Sequence, residues 1–245
     1  MTHLKIGGPC TFRRKDLTMS ECIQINERTW RIEDNGVRFF LLIGTEKAAL
    51  IDTGMNCPDA KQIAQKLTEL PLTLINTHAD PDHISGNGAF EEFYMSPNEE
   101  ENYRGNKGQG TLIPVREGDV IDLGERELKI IDIPGHTPGS IAILDIRNRV
   151  LISGDTVQDG KIFMFGKGRD MWQYTDSLKH LDEYAEMYDE IYPMHGSLPV
   201  GKDLIAKLLS GAEQIKAGQA QSRDVELFGR TVKLYDFGYA GFLCE

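Results

Sequence analysis

One short stretch constrains the fold of this chain more than any other: residues 77–83 read Thr-His-Ala-Asp-Pro-Asp-His. Two imidazoles and two carboxylates lie within six residues, directly after an apolar run at residues 72–75 that predicts a short buried strand. Packing alone does not favour such a cluster, because neighbouring carboxylates repel each other. A divalent cation removes that cost, and His and Asp are common ligands of such ions. The stretch therefore predicts a metal site in a loop at the end of a strand.

Three further candidate ligands follow apolar stretches later in the chain. His136 lies in the loop Pro-Gly-His-Thr-Pro-Gly, Asp155 comes after an apolar run, and His195 lies in a Pro-Met-His-Gly turn. Each residue, taken alone, is most simply a capping or surface group. Because loops at the ends of strands usually build binding sites, the whole set predicts one site at the mouth of a sheet.

Short apolar strands and amphipathic helices alternate along the chain. The sequence predicts strands at residues 22–32 (two strands joined by a turn), 37–43, 47–51, 72–76, 128–133, 140–146, 150–153, 190–192 and 231–235. It predicts helices at residues 58–70, from residue 97 onward, at residues 176–187 behind a capping Thr175, and at residues 200–216. Blocks of this kind are typical of an α/β layered domain with helices on the outside.

The overall charge argues against one class of partner. The chain carries a formal net charge of −11 and a pI near 5.1, whereas proteins that bind a phosphate backbone usually present a basic stripe. The sequence thus disfavours nucleic acid as a partner. It leaves room for a small-molecule substrate held by a metal, because the ion itself supplies local positive charge.

Several features predict a cytoplasmic protein with no membrane partner. No run approaches the ~18 apolar residues of a transmembrane helix, and residues 1–14 lack the apolar core of a secretory signal. The 4 cysteines are scattered without C-x-x-C spacing, which favours reduced thiols. A hydrophobic content of 40% and a charged content of 27% are ordinary for a soluble domain, and they leave open a homo-oligomer.

The order of the candidate ligands resembles the metallo-β-lactamase superfamily. The family hallmark is T-H-x-H-x-D-H followed by distant His, Asp and His, and residues 77–83 match it except at residue 80. Residues 50–54, Leu-Ile-Asp-Thr-Gly, look like the family's early Asp-x-Gly turn. The resemblance covers about residues 20–200. It implies a single domain over residues 1–245 with a four-layer αββα sandwich, in which helices flank two mixed β-sheets.

The resemblance also implies a site for two divalent metal ions. The implied ligands are His78, Asp80 and His136 for the first ion, Asp82, His83 and His195 for the second, and Asp155 as a bridge between them. Asp52 would orient a ligand histidine from behind. Asp82 would have a second, catalytic role, because a carboxylate beside a metal-held hydroxide can accept or shuttle a proton.

Asp80 departs from the family pattern, since most members have histidine at this position. As a ligand, Asp80 raises the number of ligand carboxylates to three. Two divalent ions, a bridging hydroxide and three carboxylates have a formal charge of zero, whereas the version with histidine at this position has plus one. A more anionic site favours harder ions, so the sequence predicts iron or manganese over zinc. The alternative is that Asp80 points away and the first metal site is weak.

A two-metal site of this kind predicts hydrolysis. Two ions generate a hydroxide near neutral pH and polarise the bond under attack, and no G-x-S-x-G elbow offers a competing nucleophile. The expected substrate is a small ester, thioester, lactone or phosphodiester. The alternative is a diiron oxidoreductase acting on dioxygen or nitric oxide, since the flavodiiron members of the superfamily carry glutamate at the position of Asp80. A binding module is disfavoured, because no ligand position is apolar.

Aromatic residues between Asp155 and the next predicted helix are candidates for the substrate pocket. They are Phe165, Trp172 and Tyr174. In such a loop the hydroxyl of Tyr174 would donate a hydrogen bond to a developing oxyanion. The simpler alternative is that these rings cover the edge of the sheet as part of the core.

Overall fold

The computed structural model describes residues 10–13 and 19–245, and within those ranges it contains three β-sheets and four α-helices. The predicted single domain over residues 1–245 also includes residues 1–9 and 14–18, which lie outside the described residues. That prediction of one domain therefore stays a prediction.

The first sheet has eight strands, which lie side by side in the order of the sequence. They are β1 (Cys10–Arg13), β2 (Met19–Asn26), β3 (Thr29–Asp34), β4 (Val37–Ile43), β5 (Ala48–Ile51), β6 (Leu72–Ile75), β7 (Glu92–Met95) and β8 (Thr111–Pro114). Neighbouring strands are antiparallel up to β5 and parallel from β5 to β8. Parallel pairing requires a crossover, and the crossover between β5 and β6 contains helix α1 (Ala60–Gln65).

The remaining nine strands form two smaller sheets. They are β9 (Val120–Asp122), β10 (Glu127–Asp132), β11 (Ile141–Asp145), β12 (Val150–Gly154), β13 (Lys161–Met164), β14 (Glu190–Pro193), β15 (Arg223–Leu227), β16 (Arg230–Asp236) and β17 (Gly241–Cys244). The second sheet has the order β14-β12-β11-β10-β9, and the third has the order β13-β17-β16-β15. The sequence predicts a loop at residues 161–164, whereas these residues form β13 in the structure.

Three further α-helices lie outside the sheets: α2 (Glu100–Gly105), α3 (Met171–Glu183) and α4 (Asp203–Lys216). Short 3-10 helices cover Asn87–Ala89 and Pro97–Glu99. Within the described ranges, no helix is both long enough and apolar enough to cross a membrane.

Strand β4 shows why the first sheet is covered on both faces. Its sequence VRFFLLI is apolar at nearly every position, and successive side chains of a strand point to opposite faces. Phe40 and Leu42 pack into the core between the first and second sheets. Phe39 and Leu41 pack on the other face, against α1. The outer face of the second sheet is covered by α3, α4 and the third sheet.

The layered α/β architecture follows the sequence prediction, with one difference in the second layer. Helices flank two stacked sheets, as predicted. The strands of the second half, however, form two separately hydrogen-bonded sheets.

Helix α3 begins earlier than the predicted residue 176, because Asp170, not Thr175, is its N-cap. The Asp170 carboxylate accepts hydrogen bonds from the backbone N–H groups of Trp172 at 2.8 Å and Gln173 at 3.0 Å.

A buried ion pair of the second sheet is hydrogen-bonded to the first sheet through its arginine. Arg126 and Asp145 are 2% and 1% exposed, and the Nη2 and Oδ2 atoms are 2.5 Å apart. The guanidinium also donates hydrogen bonds across the layer boundary, to Thr29 Oγ1 at 2.9 Å and to the carbonyl oxygens of Arg28 at 2.5 Å and Ile43 at 3.2 Å. Arg126 thus links the second sheet by hydrogen bonds to residues 28, 29 and 43 of the first sheet.

Candidate metal centre

Five strands deliver the candidate residues to one edge of the stacked sheets. Asp52 follows β5, the cluster at residues 78–83 follows β6, and His136 follows β10. Asp155 follows β12 and His195 follows β14. The carboxyl ends of these strands share one edge, so residues far apart in the sequence meet there.

The seven predicted ligands form two adjacent groups, each with its ligand atoms within 4.8 Å of one another. The first group is His78, Asp80 and His136, and the second is Asp82, His83, Asp155 and His195. Asp155 connects the groups, because its Oδ2 atom lies 3.8 Å from His136 Nε2 and 3.4 Å from His195 Nε2. The grouping matches the two ligand sets implied by the family resemblance, with Asp155 in the bridging place.

Each of the four imidazoles has a hydrogen-bond partner at its Nδ1 atom, on the side of the ring away from the centre of the site. The partners are Thr77 Oγ1 for His78 (3.0 Å), Asp52 Oδ2 for His83 (2.8 Å), the Phe163 carbonyl oxygen for His136 (3.0 Å) and the Gly36 carbonyl oxygen for His195 (2.9 Å). The Nε2 atoms are therefore free to face the centre of the site. This is the usual way in which a protein orients metal-binding histidines.

Several of the atoms that face the centre have no hydrogen-bond partner among the described residues. The buried unpartnered atoms include Nε2 of His78, His83 and His136, and Oδ1 of Asp155. Leaving such polar atoms buried without a partner is costly, so each calls for an explanation. Imidazole nitrogen and carboxylate oxygen suit zinc, iron and manganese. The donor set and its unpartnered atoms fit divalent ions.

Asp52 supports the site from a strained position. Its backbone has φ +63°, in the left-handed region that non-glycine residues seldom occupy. The fully buried carboxylate accepts hydrogen bonds from the Thr77 backbone N–H and hydroxyl, both at 2.7 Å, and contacts His83 Nδ1 at 2.8 Å. It therefore lies where the sequence analysis placed it, behind a candidate ligand histidine.

Sequence reasoning missed two charged residues that hold the site loops. The buried Glu99 carboxylate accepts hydrogen bonds from the backbone N–H groups of Ala79 at 2.8 Å and Gly139 at 2.7 Å, which ties the His78 and His136 loops together. Arg38 donates to the carbonyl oxygen of Gly196 at 2.5 Å, beside His195. The signal for Arg38 was a charge inside an otherwise apolar strand. Glu99 carries no such signal, because its partners are backbone N–H groups 20 and 40 positions away in the sequence.

Gly135 fixes the path of the chain just before His136. Its φ is +131°, and a Cβ atom at this position would lie 2.3 Å from the Tyr174 backbone nitrogen. Only glycine fits such a close approach. The His136 loop is therefore pressed directly against the first turn of α3.

Asp80 carries a compensating cation that the sequence analysis did not assign to it. Its Oδ2 atom is 2.5 Å from Arg169 Nη2, 3.4 Å from His136 Nε2 and 3.7 Å from His78 Nε2. Burial raises the pKa of this carboxyl, but contacts with His136 and His78 outweigh burial and hold the pKa well below its usual value. The Asp80 carboxylate therefore points toward His78 and His136 and is ionised. Its pair with Arg169 has the same net charge as the neutral histidine that the family pattern has at this position.

The second group stores protons on its histidines when no cation is bound. Burial lowers the pKa of both His83 and His195, but the Asp82 and Asp155 carboxylates act in the opposite direction and outweigh it. The pKa of His83 lies well above its ordinary value, and that of His195 is raised to about 10. A cation at this group must therefore displace protons.

We expect the apparent affinity for zinc to increase with pH between 6.5 and 10. A histidine whose pKa is raised is protonated at neutral pH, so a metal ion competes with that proton until the pH exceeds the raised pKa. Competition with a chromophoric chelator, corrected for the chelator's own protonation, measures the slope. An affinity that does not change over this range would contradict the proton competition.

A cavity of about 730 Å³ opens above the two groups. Its lining residues can be compared with the three residues predicted to line the substrate pocket. Phe165 lines the cavity, as predicted. The prediction was wrong for Trp172, which is 67% exposed on α3 with its ring centroid 3.8 Å from Lys216 Nζ. It was also wrong for Tyr174, whose buried hydroxyl donates to the Thr156 carbonyl oxygen at 2.7 Å. The Tyr174 ring is part of the core and cannot reach an oxyanion in the cavity.

Comparisons with known proteins give a consistent assignment. The model of the metallo-beta-lactamase superfamily matches residues 34–195. The acyl-coenzyme A thioesterase MBLAC2 of Gallus gallus is 26% identical over 226 residues, which cover 76% of this chain and 81% of that protein. A hydroxyacylglutathione hydrolase of Bdellovibrio bacteriovorus is 32% identical over 142 residues, covering 56% and 52%. The metallo-beta-lactamase structure from Pontibacter korlensis has a TM-score of 0.69 at 17% identity, covers 79% of this chain and 99% of its own, and confirms the predicted fold class.

Proposed function

The chain belongs to the metallo-beta-lactamase superfamily and is a hydrolase of that superfamily, and we propose that it cleaves acyl thioesters with two bound metal ions. The observation that carries the proposal is the convergence of four imidazoles and three carboxylates on one cavity, with several of their inward-facing atoms unpartnered. The relatives support the choice among ester substrates. One is named as an acyl-coenzyme A thioesterase and another as a hydroxyacylglutathione hydrolase.

The chain's residues divide between two ions. His78, Asp80 and His136 would hold one ion, Asp82, His83 and His195 would hold the other, and Asp155 would contact both. When bound, two such ions lower the pKa of a water molecule and polarise the carbonyl under attack. Because Arg169 offsets the charge of Asp80, the charge argument for iron or manganese over zinc loses its basis. Only the hardness of the extra carboxylate oxygen still favours iron or manganese.

Asp82 is the residue that we propose moves a proton. Its carboxylate lines the cavity and is 23% exposed, whereas Asp155 is 7% exposed and Asp80 faces Arg169. Burial raises the pKa of Asp82, but the His83 charge and the His195 contact outweigh it and keep the group ionised. Asp82 Oδ2 can therefore accept a proton from the attacking water and pass it to the departing thiolate.

We expect the metal-loaded chain to hydrolyse an acyl thioester with a higher kcat/KM than the matching oxygen ester, lactone or phosphodiester. A thiolate is a better leaving group than an alkoxide, so its departure depends less on a proton donor in the cavity. Free thiol release, followed with a disulfide reagent, measures the rate, and chelation followed by metal return is the control. Bound iron with oxygen uptake and no hydrolysis of any of these substrates would instead support the diiron oxidoreductase.

A further inference from the structure

The cavity above the metal centre has a polar floor and an apolar wall. Its volume of about 730 Å³ is within the range of roughly 300–1,000 Å³ for small-molecule sites. The candidate metal ligands form the floor. Met55, Phe163, Phe165 and Phe228 form the wall, which we call the aromatic wall. A substrate that reaches the floor must lie with part of its surface against these side chains.

Phe228 lies in a position that costs stability in two ways. It forms the two-residue turn between β15 and β16 with Gly229, and the two residues have φ +51° and +74°. This left-handed pair suits Asn-Gly, whereas a bulky residue there is strained. The Phe228 side chain is also 80% exposed. Strain and exposure combined at a cavity rim indicate a functional position.

The wall is continuous with a small buried cluster. The Phe228 ring stacks on Phe163 with centroids 6.3 Å apart, and Phe163 lies 5.6 Å from Phe165. Phe163 and Phe165 pack in turn against the apolar face of the third sheet, where Val232 and Leu234 are buried. The wall is therefore the open end of a packed apolar surface. Phe228 extends this surface over the cavity.

Strand β13 fixes the distance between the wall and the metal centre. The Phe163 carbonyl oxygen accepts the hydrogen bond from His136 Nδ1 at 3.0 Å, while the Phe163 side chain belongs to the wall. One residue thus orients a candidate ligand and presents an apolar ring beside it. A group bound on the wall would be directly continuous with a carbonyl held at the floor.

The cations around the cavity do not suit a highly charged group on this wall. Arg169 is engaged by Asp80, which leaves Lys161 as the cavity-lining cation without an ion-pair partner among residues 10–13 and 19–245. The wall side chains themselves carry no hydrogen-bond donor. The charged carrier of a thioester therefore fits better toward solvent and Lys161. The part that remains for the wall is a hydrocarbon.

We propose that the aromatic wall binds the hydrocarbon chain of the acyl group, and that Phe228 sets the preference for chain length. This inference rests on the proposed thioester function, because it assigns the two ends of that substrate to two parts of the cavity. Burying a methylene contributes about 0.8 kcal/mol, which corresponds to roughly fourfold in kcat/KM. Longer acyl chains are therefore better substrates until the wall is covered.

The experiment compares acetyl and octanoyl thioesters of one small thiol, N-acetylcysteamine, on the metal-loaded full chain. We expect the octanoyl substrate to have a kcat/KM at least about tenfold higher, since several methylenes reach the wall. In Phe228→Asn we expect the octanoyl-to-acetyl ratio to fall about tenfold. Asparagine tolerates the left-handed turn, so this variant removes the ring without disturbing the hairpin.

Trp172→Asn is the matched control, because it removes an exposed aromatic ring that lies outside the cavity. We expect the octanoyl-to-acetyl ratio of this variant to equal that of the parent chain, while Phe228→Leu keeps most of the parent's preference. The proposal is overturned if the parent shows no dependence on chain length. It is equally overturned if Phe228→Asn keeps the parent's ratio.

A binding measurement separates this proposal from the proposed function. Octanoate and acetate, the products of the two substrates, are titrated into the metal-loaded chain by calorimetry. If no thioester is hydrolysed but octanoate binds at least about tenfold tighter than acetate and loses this advantage in Phe228→Asn, the proposed function fails and the wall stands. Equal binding of octanoate and acetate in the parent chain would overturn the proposal that the aromatic wall binds the hydrocarbon chain.

Discussion

Asp155→Asn should reduce thioester hydrolysis by at least about 10²–10³-fold, the loss seen when a main electrostatic contact of an active site is removed. Asp155 is the residue shared by the two groups. Its oxygens lie 3.5 Å from His83 Nε2, 3.4 Å from His195 Nε2 and 3.8 Å from His136 Nε2. Asparagine keeps the shape but removes the negative charge that would face both ions. We therefore also expect the bound metal to fall from two ions per chain toward one or none.

Metal content by atomic spectrometry and activity are measured on the same samples. Asp176→Asn is the control, because that carboxylate is 79% exposed on α3 and is remote from the ligand set. We expect the control to keep both its metal and its rate. If Asp155→Asn still binds two ions and works at the parent's rate, Asp155 does not bridge them.

The candidate ligands could be predicted from the sequence because each one directly follows a strand or a short turn that is visible locally. The close spacing of two histidines and two aspartates within residues 78–83 predicts a metal site by itself. His136, Asp155 and His195 lie in turns that follow apolar runs. Their supporting contacts have no such signature. The Gly36 carbonyl that holds His195 is a backbone atom 159 positions away, and backbone atoms carry no sequence signal.

Charged supports were missed for a related reason. Arg169 reaches Asp80 across 89 positions, and a sequence shows it only as one more cation in a polar loop. The prediction of iron or manganese over zinc left out this contact. It counted the negative charge of Asp80 without the positive charge of the guanidinium beside it. A pattern of ligands thus predicts where a metal binds more readily than which metal binds.

The errors at Trp172 and Tyr174 come from the start of one helix. Placing the N-cap at Thr175 leaves both rings in a loop beside the site, whereas the observed cap at Asp170 places them in the first turn of α3. Residues two apart point to different sides of a helix. Tyr174 therefore faces the core and Trp172 faces solvent. The third sheet was partly missed because β15 has no buried position and reads as a polar segment.

Arg126→Met should lower the free energy of unfolding by about 3–5 kcal/mol, the cost of breaking a buried ion pair by removing one partner. The substitution leaves the buried Asp145 carboxylate without its cation, and among the described residues its hydrogen bonds with Asn148 remain. It also removes the donors that Arg126 gives to Thr29 Oγ1 and to the Ile43 carbonyl oxygen. Urea denaturation of the metal-free chain measures the change without the added stability of metal binding.

Three further variants show whether the buried charge is the cause: Asp145→Asn, the same substitution combined with Arg126→Met, and Asp189→Asn. Asp145→Asn in the Arg126→Met background neutralises the orphaned carboxylate, so the double variant should lose less than the sum of the two single losses, with a coupling of about 1–3 kcal/mol. Asp189→Asn breaks the exposed pair in which Arg149 Nε lies 2.7 Å from Asp189 Oδ2, and it should change the urea midpoint little. Strictly additive losses would mean that Arg126 stabilises the layers through its neutral hydrogen bonds. A large coupling would instead show that the Arg126–Asp145 ion pair itself stabilises the second sheet, whose strand ends carry His136, Asp155 and His195.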